Sequence, residues 1–167
     1  MSARGTGRDG LAAAVLLCMA ASSAPAQDMP AYRDDRSSPQ ALIESLYNAV
    51  ARQENLRAWS YFDAEASQPF DAFEAGYADT VAVRARVLEG TVEGAAGSLY
   101  GLVPVAIEAR TSDGRTTVFS GCYETRQVQP AAQIRPPFEP IRITASRLEE
   151  TATGFDATTP TCPAEGL

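Results

Sequence analysis

The order of hydrophobic periodicities along the chain predicts an α+β protein: three helices, then a mainly antiparallel sheet of four strands. Three observations carry this reading. Apolar residues recur at helical spacing as far as Tyr77, the period changes to two from Val81, and an Asp-Gly pair separates two of the alternating runs. Runs of helices followed by runs of strands place the helices on one face of the sheet.

The first helix is signalled by Ser37-Ser38-Pro39-Gln40. A serine there can cap the first free amides, Pro39 tolerates the lack of one, and Gln40 can close a capping box on Ser37. Leu42, Ile43, Leu46, Tyr47 and Val50 then share one face, with Glu44, Ser45, Asn48 and Arg52 on the other. Asn55 is the expected cap of a second, shorter helix whose buried stripe is Leu56, Trp59 and Phe62, so that Tyr61 points elsewhere. A third helix follows Ser67 and Pro69, with Phe70, Phe73 and Tyr77 on one side.

The first strand is read from "TVAVRARVLE", in which Val81, Val83, Ala85 and Val87 alternate with their neighbours. The second runs from about Leu99 to Thr111, with Leu99, Val103, Val105 and Ile107 facing one way. Pro104 within it has no amide to donate, which predicts an edge or bulge position. Asp-Gly in "SDGR", residues 112 to 115, predicts a hairpin to an antiparallel strand over Thr116 to Val128. Four prolines in the eleven residues from Pro130 to Pro140 make a connection, and Ile141 to Leu148 forms the last strand.

At the N-terminus, Arg4 and Arg8 precede the apolar run Leu11 to Ala21 and then "SSAPAQ", the layout of a secretory signal with cleavage after Ala26. Eleven apolar residues fall short of the roughly 20 that span a bilayer. Lipidation of Cys18 is disfavoured by the large Leu17 before it. The expected organisation is a signal peptide (1–26), a flexible leader (27–37), a single domain (38–150) and a C-terminal tail (151–167). Export to the periplasm or medium agrees with the cysteines that remain, Cys122 and Cys162, an even pair in a compartment where disulfides persist. Their bridge would tie down the tail and be worth roughly 3 to 4 kcal/mol.

A net charge of −7 argues against nucleic acid or anionic lipid as partner. The 167 residues include no histidine, and all 14 basic residues are arginine. A Ser-His-Asp triad, a Cys-His pair, a His-containing zinc site and a Schiff-base lysine are thereby excluded. Carboxylate, tyrosine, arginine and serine remain for chemistry, and neither a cofactor nor a metal is expected.

The stretches "ALIESLYNAVARQENLRAWSYFD" and "FDAFEAGYADTVAVRARV" resemble the N-terminal half of the NTF2-like superfamily, the group with the ketosteroid-isomerase-like and SnoaL-like (polyketide-cyclase-like) cone folds. The resemblance covers about residues 38–150. It implies a curved sheet wrapped around the long helix, with a cavity that is catalytic in some members and filled in others; it does not by itself name a function. In the isomerases a first-helix tyrosine, here Tyr47, donates a hydrogen bond to a developing oxyanion. The base would come from Asp63, Glu65 or Asp71, but Asp71 is already explained by the helix dipole and the family's spacing is not matched.

The preferred expectation is a non-catalytic binding or accessory module of the bacterial envelope, with an isomerase or cyclase as the alternative. Tyr47, Trp59, Phe62, Phe73, Tyr77, Tyr100, Phe119 and Tyr123 are the candidate lining of a cavity for a small apolar ligand. An envelope protein is the other candidate partner. In "VFSGCYETR", Val118, Ser120, Cys122 and Glu124 face away from Phe119, Gly121 and Tyr123, and an uncovered sheet face would suit a homodimer. Arg84, Arg86, Arg126 and Arg142 are expected to serve the surface carboxylates rather than a bound anion.

Overall fold

The computed structural model describes residues 29–167; the expected signal peptide and its cleavage after Ala26 lie outside the described residues. Three helices, α1 (Pro39–Ala51), α2 (Asn55–Trp59) and α3 (Phe70–Tyr77), precede the strands β1 (Thr80–Val87), β2 (Thr91–Ala95), β3 (Ser98–Thr111), β4 (Thr116–Val128) and β5 (Arg142–Thr151). The sheet runs β1-β3-β4-β5 with every pair antiparallel, and β2 pairs with the other end of β3.

The sheet therefore has five strands, not the four expected. β2 was missed because all five of its residues are exposed, so no apolar alternation marks it. Its hairpin to β3 turns at Ala96 and Gly97, both at positive φ. β1 and β2 lie along β3 like one strand broken at residues 88–90, and Pro104 sits opposite the break, between the partners Val105↔Val87 and Leu102↔Thr91. The proline is thus in a central strand, at the one stretch where its missing donor costs nothing. A register shift between Glu124 and Thr125 puts an extra residue into β5, and such bulges bend and twist a sheet. The Asp-Gly hairpin forms as expected: Asp113 Oδ1 accepts from Thr111 Oγ1 at 2.5 Å and from the Arg115 amide at 3.0 Å, with Gly114 at φ 86°.

Ser38 caps α1, its hydroxyl accepting from the Ala41 amide at 3.1 Å. The expected capping box does not form, because Gln40 bonds Glu44 and the Ser37 amide bonds Asp35. α1 buries Leu42, Ile43, Leu46, Tyr47 and Val50 against Val103, Val105, Ile107, Tyr123 and Ile143 of the sheet. Its N-terminus comes close because residue 101 is glycine: a Cβ there would lie 2.6 Å from Pro39 Cγ and 2.7 Å from Thr125 Oγ1. The helix ends in a Schellman arrangement, with Gln53 at φ 57°, Gln53 N bonded to Val50 O and Glu54 N to Ala49 O.

α2 is preceded by Glu54, not capped by Asn55, and is only five residues long. So short a helix does not carry a stripe through to residue 62. Leu56 is 64% exposed, whereas Ala58 and Tyr61 are fully buried. The expected assignment of Leu56 to the core and Tyr61 to the outside is therefore reversed. The segment before α1, read as a flexible leader, is hydrogen bonded along that helix from residue 30 on: Asn48 holds the Arg33 amide and the Ala31 carbonyl, and Ser45 holds the Asp35 amide.

The sheet face away from the helices carries the C-terminal tail. Cys122 and Cys162 form a disulfide with Cα atoms 5.1 Å apart. Phe155 is buried beneath the Arg84 and Arg86 guanidinium groups, 4.1 and 5.2 Å from its ring centre. Of the four strand arginines, Arg84 makes the expected fork to Glu108, at 2.7 and 3.1 Å. Arg86 and Arg142 instead donate to backbone carbonyls, Arg86 to Phe155 and Thr158, Arg142 to Ser60 and Phe62. Arg126 is exposed.

Candidate functional site

The helix-facing side of the sheet has a half-open cleft beside its packed core. Between α3 and strands β1, β3, β4 and β5 lies a cavity of about 420 Å³. Its walls are Phe73, Gly76 and Tyr77 of α3, Tyr47 of α1, Val83, Ile107, Ala109, Phe119 and Leu148. Gln68, Thr80, Thr111, Thr117 and Arg115 supply its remaining polar groups. The alternation of the strands explains which residues look inward: Ile107, Ala109 and Thr111 share one face of β3, and Thr117 and Phe119 the matching face of β4.

The deep end is marked by two phenols. The Tyr47 and Tyr123 hydroxyls are 2.6 Å apart, and the rings meet edge to face. Burial pushes the Tyr47 hydroxyl well above the ordinary phenol range, reinforced by the neighbouring Tyr123 and Tyr77. Burial likewise raises Tyr123 and Tyr77. All three are neutral at ordinary pH: they can donate a hydrogen bond, but they are not bases. Of the two hydroxyl protons in the pair, one lies between the rings and the other has no protein partner among the described residues.

The raised values have a pH consequence. Below about pH 10 the unfolded tyrosines are also neutral, so these groups add no pH dependence; above it the unfolded chain ionises first and folding stability falls. Tyrosinate absorbance followed with pH should show Tyr47 and Tyr123 ionising only together with loss of circular dichroism. Reversible ionisation of all six tyrosines in the folded protein would contradict their burial.

The residues expected to line one pocket are not all brought together. Tyr47, Phe73, Tyr77 and Phe119 line the cavity, and Tyr123 reaches it through its bond to Tyr47. Phe62 backs the wall, its ring 5.8 Å from that of Phe73. Trp59 meets Phe70 edge to face and donates its indole N–H to the Gln68 carbonyl; with Phe62 and Asp63 it faces a separate surface depression. Tyr100 lies on the opposite sheet face, near Cys162 and Glu124. Its parity in β3, odd to that of Val103 and Ile107, was the available signal.

None of the candidate bases lines the cavity. Asp63 Oδ1 accepts from the Glu65 amide at 2.9 Å, Glu65 is exposed, and Asp71 sits in the first turn of α3, also exposed. Sequence reasoning missed Arg115, the one charged lining residue, because it was read only as part of a turn.

Fold and cleft together define an α+β protein, three helices on one face of an antiparallel sheet with a cleft between them. Its three helices and antiparallel sheet are similar to the crystal structure of a candidate scytalone dehydratase from Novosphingobium aromaticivorans, at TM-score 0.51 and 10% identity over 74% of this chain and 88% of that one. A protein from Kribbella flavida is similar at TM-score 0.47 and 12% identity, over 66% of this chain and 86% of that one. At 10% identity the likeness to the Novosphingobium structure shows the fold alone. No family model and no curated protein matches the chain.

Proposed function

We propose that the protein is an exported, non-catalytic NTF2-like module that binds a small apolar molecule in the cavity beside Tyr47. The observation that carries this reading is the cavity itself: space for a ligand, aromatic walls, and a buried, neutral phenol pair beside it to fix one oxygen. The disulfide suits an oxidising compartment, periplasmic or extracellular. No helix among the described residues is long and apolar enough to cross a membrane. Pairing of two copies, or docking on an envelope protein, through the outer sheet face would have to accommodate the tail that lies on it.

A second reading, an isomerase or cyclase, has the Tyr47–Tyr123 pair in its favour, since a dry phenol can stabilise an oxyanion. It would need its base from the substrate or from solvent.

Binding can be separated from folding at Gly76, on the rim of the cavity, where an added Cβ has nothing within 4 Å. In calorimetric titration, 4-phenylphenol should bind the wild-type protein, and Gly76→Phe should weaken it at least tenfold while leaving thermal stability unchanged or raised. Equal binding to both proteins would place the ligand elsewhere.

A further inference from the structure

The polar groups of the cavity are unevenly placed. From Ile107 to Thr111 it follows β3 for four residues, roughly 13 Å at strand rise. At the inner end are the two neutral phenols; at the outer end, beside the β3–β4 hairpin, are Thr111, Thr117 and Arg115. Arg115 is exposed at the mouth, and among the described residues no ion pair or side-chain hydrogen bond involves its guanidinium. The nearest acid in sequence, Asp113, feels the Arg115 charge but forms no ion pair with it; its hydrogen bonds go to Thr111 and the Arg115 amide. Elsewhere on the sheet Arg84, Arg86 and Arg142 are engaged with Glu108 or with backbone carbonyls, while Arg110, Arg126 and Arg147, exposed and without an ion pair among the described residues, do not line the cavity. In a protein of net charge −7, a cation without an ion pair at the mouth of an otherwise uncharged cavity favours an anion.

The inner end selects differently. A charged oxygen there would meet the same desolvation that keeps the phenols protonated, so a neutral carbonyl or hydroxyl oxygen is the better guest. Resting on the binding reading above, we infer that the ligand is an elongated aromatic acid. Its neutral oxygen meets the Tyr47–Tyr123 pair, its rings lie between Phe73, Tyr77 and Phe119, and its carboxylate is held by Arg115. The planar guanidinium fork matches a carboxylate with two parallel hydrogen bonds.

The test compares 4-phenylphenol with 4′-hydroxybiphenyl-4-carboxylate, which differ by one carboxylate, in calorimetric titrations of the disulfide-bonded protein at neutral pH and low salt. The acid should bind the wild type about five- to tenfold more tightly, the range of a partly exposed charge-assisted pair. Arg115→Met should abolish that preference, bringing the ratio of the two affinities to about one, and Arg126→Met, an equal change in net charge on the outer face, should preserve it. Equal affinities in the wild type, or a preference that survives in Arg115→Met, would overturn the inference while leaving the cavity as a binding site. Failure of both probes to bind would overturn the binding reading and this inference with it.

Discussion

Tyr61→Ala is expected to destabilise the protein by about 4 kcal/mol, and Leu56→Ala by less than about 0.5 kcal/mol. Tyr61 is fully buried, lies under the Arg36 guanidinium at 4.4 Å, donates its hydroxyl to Asp34 at 3.0 Å and accepts from Arg57 at 3.0 Å. Its carbonyl also accepts from the Ile143 amide, which ties the end of α2 to β5. Alanine would leave a ring-sized void and strip Asp34 and Arg57 of a partner. Leu56 is exposed, and its truncation removes little from water's exclusion. Urea denaturation of the two variants distinguishes the cases, and comparable losses would contradict the packing of α2.

Cys162→Ser should remove about 4 kcal/mol, the loop-closure contribution of a sequence separation of 40, and lower the melting temperature by about 10 °C. Changing Cys162 rather than Cys122 leaves the buried partner in place and avoids a new polar group in the sheet. A fall below about 1 kcal/mol would mean that Phe155, Thr158 and the Arg86 contacts hold the tail without the bridge. Limited proteolysis checks the same point independently, since cleavage after the tail's anchor at Phe155 should appear first in the variant.

The strongly periodic segments were legible. α1, the alternation of β3, the Asp-Gly hairpin and the facing of Tyr123 against Cys122 all follow from spacing, because each has one face in the core and one outside it. What was hidden depended on contacts distant in sequence. β2 is exposed throughout and exists through its pairing with β3. Tyr61 is buried because Asp34, Arg36 and Arg57 converge on it, none of which a helical period encodes. The site was half legible: Tyr47, Phe73, Tyr77 and Phe119 meet, but aromatic character alone also drew in Trp59 and Tyr100, which topology sends elsewhere. Arg115 became part of the site only when the hairpin placed it at the mouth.

The central claim is that the cavity beside the phenol pair is a ligand site, and the most direct measurement is intermolecular nuclear Overhauser contact between bound 4-phenylphenol and the protein's aromatic rings. Contacts from the ligand to Tyr47, Tyr77 and Phe119 are the expected result. Contacts to Trp59 in the surface depression, or to Tyr100 on the outer sheet face, with none to Tyr47, would contradict it.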